Sequence, residues 1–200
     1  MSTPIKVLVT GFEPIPAAYH KIFAQVPKLI EQHAPDLVVH MGLDVDSGPG
    51  VFKVERSAAK EGYHDIPDIE RRVFTRAENK KTFAKSSASL LTSLDVDAAV
   101  DAWQSACSSL TLAKPSPSGG NAKKGGKGQE KQRVDVRLTD DVGTYVCGFN
   151  YYVSMLEMQR ASGRRNVVFF HVPNLATQDD IAVGVQVTEE LIKSLVGVLR

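Results

Sequence analysis

Cysteine is scarce in this chain, with two in 200 residues. Two thiols cannot staple a fold, so a disulfide scaffold is excluded. Cys107 and Cys147 read as free thiols in a reducing compartment, the cytoplasm. Long apolar runs are missing as well. None approaches the ~20 residues that cross a bilayer. The opening MSTPIKVLVTGF lacks the charged start, long apolar middle and small-residue cleavage site of a secretory leader. Neither charge sign is in excess, since the formal net charge is +1 with 24% charged residues. That balance argues against nucleic acid and against a membrane surface as partners. GFEPIP and SGPG hold no GxGxxG or P-loop pattern, so no nucleotide cofactor is expected. The five His and two Cys do not fall at ligand spacing, so no metal site is expected either.

What is present describes an ordinary globule. The apolar fraction is 42%, and 200 residues suit a single domain over 1–200. IKVLVTGF and DLVVHMGL are short β-branched runs ending in Gly, apolar on both faces as buried parallel strands are. Between them YHKIFAQVPKLIEQHA has helical spacing, with Pro27 suggesting a start near that residue. Strand, helix, strand in this order predicts an α/β fold. GVFKVERSA reads as a third strand. EGYHDIPDIERRVFTRAENKKTF is polar, contains a Pro, and reads as surface loop or extended chain. SLLTSLDV is ambiguous, with a short strand as one reading. DAAVDAWQSACSSL is an amphipathic helix with Val100, Trp103, Cys107 and Leu110 on one stripe and Asp97 able to cap it. Cys107 is therefore assigned to the core.

The segment from Ala113 to Gln132, AKPSPSGGNAKKGGKGQEKQ, is rich in Gly, Pro, Ser and Lys and has no large apolar residue. It reads as a flexible low-complexity insertion within one domain. After it come a strand in VDVRLT, a helix in FNYYVSMLEMQRA, a buried strand in NVVFFHV and a closing helix. In that helix Val187, Leu191, Leu195 and Leu199 recur every four residues.

Two residues carry candidate chemistry. Cys147 lies near the start of its helix, where unpaired N–H groups and the positive dipole end favour a thiolate. His171 lies at the C-terminal end of a strand, the edge at which open α/β sheets bind ligands. A thiol and an imidazole on neighbouring elements are what covalent acyl transfer needs, and a carboxylate orienting the imidazole would complete the set. Glu55 sits on the third strand. From the residues alone it reads as a solvated carboxylate paired with Arg56 or a lysine.

Four stretches in order are similar to motifs of the pyroglutamyl peptidase I family, cysteine peptidases that remove an N-terminal pyroglutamyl residue. VLVTGFEPI resembles the family's opening VLVTGFEPF. VERSAAKEGYHDIPD resembles the segment that ER opens and IPD closes. TDDVGTYVCGFNYY resembles S-x-D-A-G-x-Y-x-C-N, and FFHVPN resembles FxHVP. The resemblance implies a three-layer α/β/α sandwich with a mixed, mostly parallel central sheet. It implies Cys147 as nucleophile, His171 as general base and acid, and Glu55 as the residue that orients His171. Phe12 and Ile15 would bind the pyrrolidone ring. No cofactor is implied, and the implied partners are N-terminally pyroglutamylated peptides, with a homo-oligomer left open.

Departures from the pattern fall around the site. Ile15 stands where the family usually has a second Phe, Gly148 where it has Asn after the nucleophile, and Lys60 where Asn is usual. These keep open an alternative, a catalytically weak or inactive relative that binds a peptide end or a partner.

Overall fold

The computed structural model describes residues 4–11, 15–113 and 130–199. Its elements are β1 (Val7–Gly11), α1 (Tyr19–His33), β2 (Leu37–Leu43), β3 (Val51–Glu55), β4 (Ser57–Ala59) and α2 (Arg76–Thr82). They continue as β5 (Ser89–Leu91), α3 (Val96–Cys107), β6 (Thr111–Ala113), β7 (Lys131–Arg133), β8 (Asp135–Thr139), α4 (Val146–Ser162), β9 (Val167–Val172) and α5 (Gln178–Gly197).

Five strands form one sheet in the order β1-β2-β9-β3-β8. The pairs β1–β2, β2–β9 and β3–β8 are parallel, whereas β3 runs antiparallel to β9. One face carries Val38, Val167 and Phe169 into a core shared with α1 and α4. The other carries Leu37, Val39, Phe52, Val54, Val168 and Phe170 into a core shared with α3 and α5. The architecture is the three-layer α/β/α sandwich with a mixed, mostly parallel sheet. β9 reads VVFFHV and is buried at every residue, as a strand covered on both faces must be.

Three local readings are corrected. First, α1 does not wait for Pro27 but runs from Tyr19 through it. Pro in a helix interior costs about 3 kcal/mol; burial of Tyr19, Ile22, Val26 and Ile30 along the facing stripe offsets that loss. Second, the polar stretch after β4 is irregular and mostly exposed over 61–75, as expected, but it is anchored in the core and ends in a helix. Tyr63, Phe74 and Phe83 are buried in the aromatic core around Phe149. Buried Asp68 accepts the backbone N–H of Tyr19 at 2.9 Å, satisfying a donor at the start of α1. Within this stretch α2 begins with a capping box between Thr75 and Glu78. Third, α3 is capped by Asp95, which accepts from Ala98 N at 3.1 Å. Asp97 instead forms a two-point pair with Arg56 at 2.6 and 2.7 Å.

The expected helix stripes are otherwise present. Val100, Trp103 and Cys107 of α3 and Val187, Leu191 and Leu195 of α5 are buried together, and Trp103 Nε1 donates to the Val187 carbonyl at 2.8 Å. The low-complexity segment is ordered at both ends, because Ala113 and Lys131–Gln132 pair in an antiparallel β6–β7 ladder. Its remainder, 114–129, lies outside the described residues. No helix among the described residues is long and apolar enough to cross a membrane.

Candidate active site

His171 and Glu55 pair on the sheet face covered by α1 and α4, and Cys147 of α4 packs against that same face. His171 Nδ1 lies 2.8 Å from Glu55 Oε1. Glu55 is fully buried and takes a second hydrogen bond from Thr139 Oγ1, its register partner on β8. Tyr151 of α4 donates to the Glu55 backbone carbonyl at 3.0 Å, fixing the strand there. A carboxylate accepting from Nδ1–H leaves Nε2 of the imidazole as the basic atom. Neither partner suggested for Glu55 by sequence alone is used. Arg56 pairs with Asp97 and Asp140, and Lys53 pairs with Asp44 at 2.5 Å.

Glu55 does not reach His171 from a neighbouring parallel strand. β3 opposes β9, so Glu55 lies across from Phe169, and Lys53 lies across from His171. The carboxylate thus reaches the imidazole diagonally from within the sheet, two residues below the rim.

Cys147 is the second residue of α4, following the bend at Gly143, whose φ is 79°. Its sulfur is located by Gly42, the register partner of His171 on β2. A side-chain carbon placed on Gly42 would lie 3.3 Å from Cys147 Sγ and 2.9 Å from the Phe169 ring. The thiol therefore hangs over β2, the strand paired with the one that carries His171. Phe169 completes the packing, its ring 4.8 Å from the His171 ring.

Electrostatics at the thiol run opposite to the sequence expectation. Burial pushes Cys147 up to about 11; its own backbone N–H acts in the other direction, and the carboxylates Glu55 and Asp44 add to the rise. The helix start is present, but the cover supplied by neighbouring elements outweighs it. A thiol so placed is held as S–H and needs a base to take its proton. Asp44 itself is desolvated, which would raise it, yet hydrogen bonds from Lys53, Ser47 and Asp46 hold it well below the usual carboxylate range. Cys107, in the core as expected, is likewise pushed up to about 11 by burial.

A cavity of about 220 Å³ opens beside the sulfur, with Ile15, Ile22, Val146, Cys147, Asn150 and Phe169 in its lining. Ile15 is thus placed beside the thiol. Phe12 falls outside the described residues. Asn150 was not singled out from the sequence, where it reads as one polar position in a helix. Its place three residues after Cys147 was the available signal, because i and i+3 share a helix face. Among the described residues no group of three or more His, Cys, Asp and Glu could hold a metal ion.

The departure at Gly148 has a steric reason. A side-chain carbon there would lie 2.1 Å from the Gly143 carbonyl oxygen. The loop before α4 therefore sits against a helix position that must lack Cβ. Gly148→Ala is expected to cost about 1–3 kcal/mol through overpacking, lowering Tm by about 2–4 °C per kcal/mol. Thermal unfolding measures this, and an unchanged Tm would show that the loop moves freely.

Beneath the site a buried polar chain links three elements. Thr10 Oγ1 is 2.6 Å from His40 Nδ1, and His40 Nε2 is 2.6 Å from Ser154 Oγ. Burial lowers His40 to about 3. Its folded pKa lies below the unfolded value near 6.5, so below pH 6.5 the unfolded chain binds a proton that the folded chain refuses. Stability from this residue falls by about 1.4 kcal/mol per pH unit as pH drops from 6.5 towards 3. Denaturant titrations of wild type and His40→Leu at pH 6.5 and 4.5 are expected to differ in their pH-dependent loss by about 2 kcal/mol, wild type losing more. Parallel losses would remove His40 as the cause.

No family model matches the chain. Among curated proteins it is similar to "Pyroglutamyl-peptidase 1" of Mus musculus, 25% identical over 186 residues, 93% of this chain and 72% of that protein. It is also similar to "Pyroglutamyl-peptidase 1-like protein" of Homo sapiens, 24% identical over 162 residues, 81% of this chain and 64% of that protein. Among solved structures it superposes on pyrrolidone carboxyl peptidase from Pyrococcus furiosus with a TM-score of 0.67 and 17% identity, covering 98% of this chain and 100% of that one. Pyroglutamyl peptidase I from Bacillus amyloliquefaciens gives 0.66 and 18%, covering 98% and 96%. The fold is that of the pyrrolidone carboxyl peptidases, and the resemblance to pyroglutamyl peptidase I read from four motifs extends to both sequence relatives and fold.

Proposed function

We propose that this chain is a cysteine-type member of the pyroglutamyl peptidase I family, a single peptidase-like domain that hydrolyses the amide after an N-terminal pyroglutamyl residue in the cytoplasm. The observation that carries the proposal is the 2.8 Å contact of His171 Nδ1 with fully buried Glu55, on the sheet face over which Cys147 Sγ hangs.

In this reading His171 Nε2 takes the thiol proton as the sulfur attacks the peptide carbonyl. Because burial holds the resting thiol protonated, proton transfer accompanies attack rather than preceding substrate binding. The Cys147 N–H, in the first turn of α4, contributes to holding the oxyanion; one such donor is worth about 3–4 kcal/mol in known cases. The C–N bond then breaks, and His171 returns its proton to the leaving amine. A thioester remains. Water, deprotonated by His171, attacks it, the C–S bond breaks, and the thiol regains its proton as pyroglutamate leaves. Glu55 stabilises the imidazolium formed in both halves. Phe12 and Ile15 are assigned to the ring of the substrate, and the apolar lining suits a small neutral lactam.

The test is release of aminomethylcoumarin from pyroglutamyl, prolyl and glutamyl conjugates. Hydrolysis of the first, with little of the other two, is the expected result. A folded protein inert towards all three would favour the reading as a peptide-end or partner-binding relative.

A further inference from the structure

Asn150 presents an unexplained polar atom. It lies one turn along α4 from Cys147, and both side chains line the same 220 Å³ cavity. Its Oδ1 is buried and has no hydrogen-bond partner among the described residues. A buried acceptor left unpaired costs about 1–3 kcal/mol, so Oδ1 calls for a donor from outside the chain, and its place in the cavity lining sets that donor where a ligand would sit. The neighbouring wall is apolar, from Ile15, Ile22, Val146 and Phe169.

We propose that the Asn150 carboxamide is the specificity-determining residue of this site, pairing edge to edge with the lactam of the substrate ring. The chemistry selects for it. A five-membered lactam locks its amide cis, so N–H and C=O lie side by side on one edge. A trans peptide bond points them in opposite directions. A primary carboxamide also carries its C=O and N–H side by side. Oδ1 accepts from the ring N–H while Nδ2 donates to the ring C=O, and two parallel hydrogen bonds form at once. Prolyl rings lack the ring carbonyl, and open-chain glutamyl groups lack the cis edge, so neither satisfies the orphan acceptor in this way. The proposal rests on the proposed function for the identity of its ligand.

Two measurements test it. The first compares kcat/KM for a pyroglutamyl conjugate with that for its 3-oxocyclopentanecarbonyl isostere, in which CH₂ replaces the ring N–H. Wild type is expected to prefer the lactam by about 10- to 100-fold, the range one buried hydrogen bond supplies. In Asn150→Leu and Asn150→Ala the preference should collapse towards unity, chiefly through loss on the lactam. An unchanged preference in both variants overturns the proposal. The second measurement follows binding of 2-pyrrolidone by NMR titration to Cys147→Ala protein with and without Asn150→Leu. At least ~10-fold weaker binding in the double variant supports the pairing, and equal binding overturns it. Should wild type cleave neither conjugate, the peptidase reading fails, and the 2-pyrrolidone titration still decides the role of Asn150.

Discussion

Cys147→Ala is expected to abolish pyroglutamyl conjugate hydrolysis, with kcat/KM falling by about 10⁴-fold or more. The sulfur makes and breaks a covalent bond in both halves of the proposed reaction, so no neighbouring group substitutes for it. Cys107 cannot, because it is 2% exposed in the core on the opposite face of the sheet. The same placement gives a chemical version of the experiment. Iodoacetamide treatment should inactivate the protein with one equivalent incorporated, at Cys147, since that thiol opens onto the cavity and has His171 as its proposed base, whereas Cys107 is sealed in the core. The alanine side chain fits where the thiol sits, so far-UV circular dichroism and Tm should stay close to wild type. Residual activity above a hundredth of wild type would remove Cys147 as the nucleophile.

Glu55→Gln is the second large effect. The substitution preserves volume in a site with no exposure, yet it alters what His171 Nδ1 meets. A carboxylate accepts only, and so fixes the proton on Nδ1 and the lone pair on Nε2. An amide can turn its NH₂ towards the ring and select the opposite tautomer, leaving Nε2 protonated and unable to take the thiol proton. It also removes the charge that stabilises the imidazolium. A drop in kcat of about 10³- to 10⁴-fold is expected, with KM little changed because Glu55 lies behind the imidazole rather than in the cavity lining. Steady-state kinetics on folded Glu55→Gln protein measures both. A loss confined to KM would contradict the orienting role.

The fold was largely legible because its strands and amphipathic helices bury apolar residues at regular spacing. VVFFHV could only be a covered strand, and the Val187, Leu191 and Leu195 repeat could only face a core. What escaped was held by interactions that spacing does not encode. α2, RAENKKT, buries only Asn79 and owes its form to the Thr75–Glu78 box and to Phe74 and Phe83 packed at its two ends. The box stands in the sequence, but no apolar stripe accompanies it to mark a helix. α1 continued through Pro27 because packing outweighed local preference. At the site, residue chemistry alone pointed to Cys147 and His171, while Glu55 entered through family resemblance. The orphan Oδ1 of Asn150 and the rise of the thiol both follow from burial by distant segments, which linear order does not display.

The reversed direction of β3 separates two design problems. Loops at the open end of the sheet face the cavity and the outside, where chain length and composition vary most freely. The acid behind the imidazole is anchored deeper, near the end of a strand that enters from that same rim and runs away from it, where it is clamped by Thr139 and Tyr151. On the proposed function, side chains that line the cavity, such as Ile15, can be exchanged without touching the Glu55–His171 pair, so selectivity and chemistry are free to evolve at different speeds.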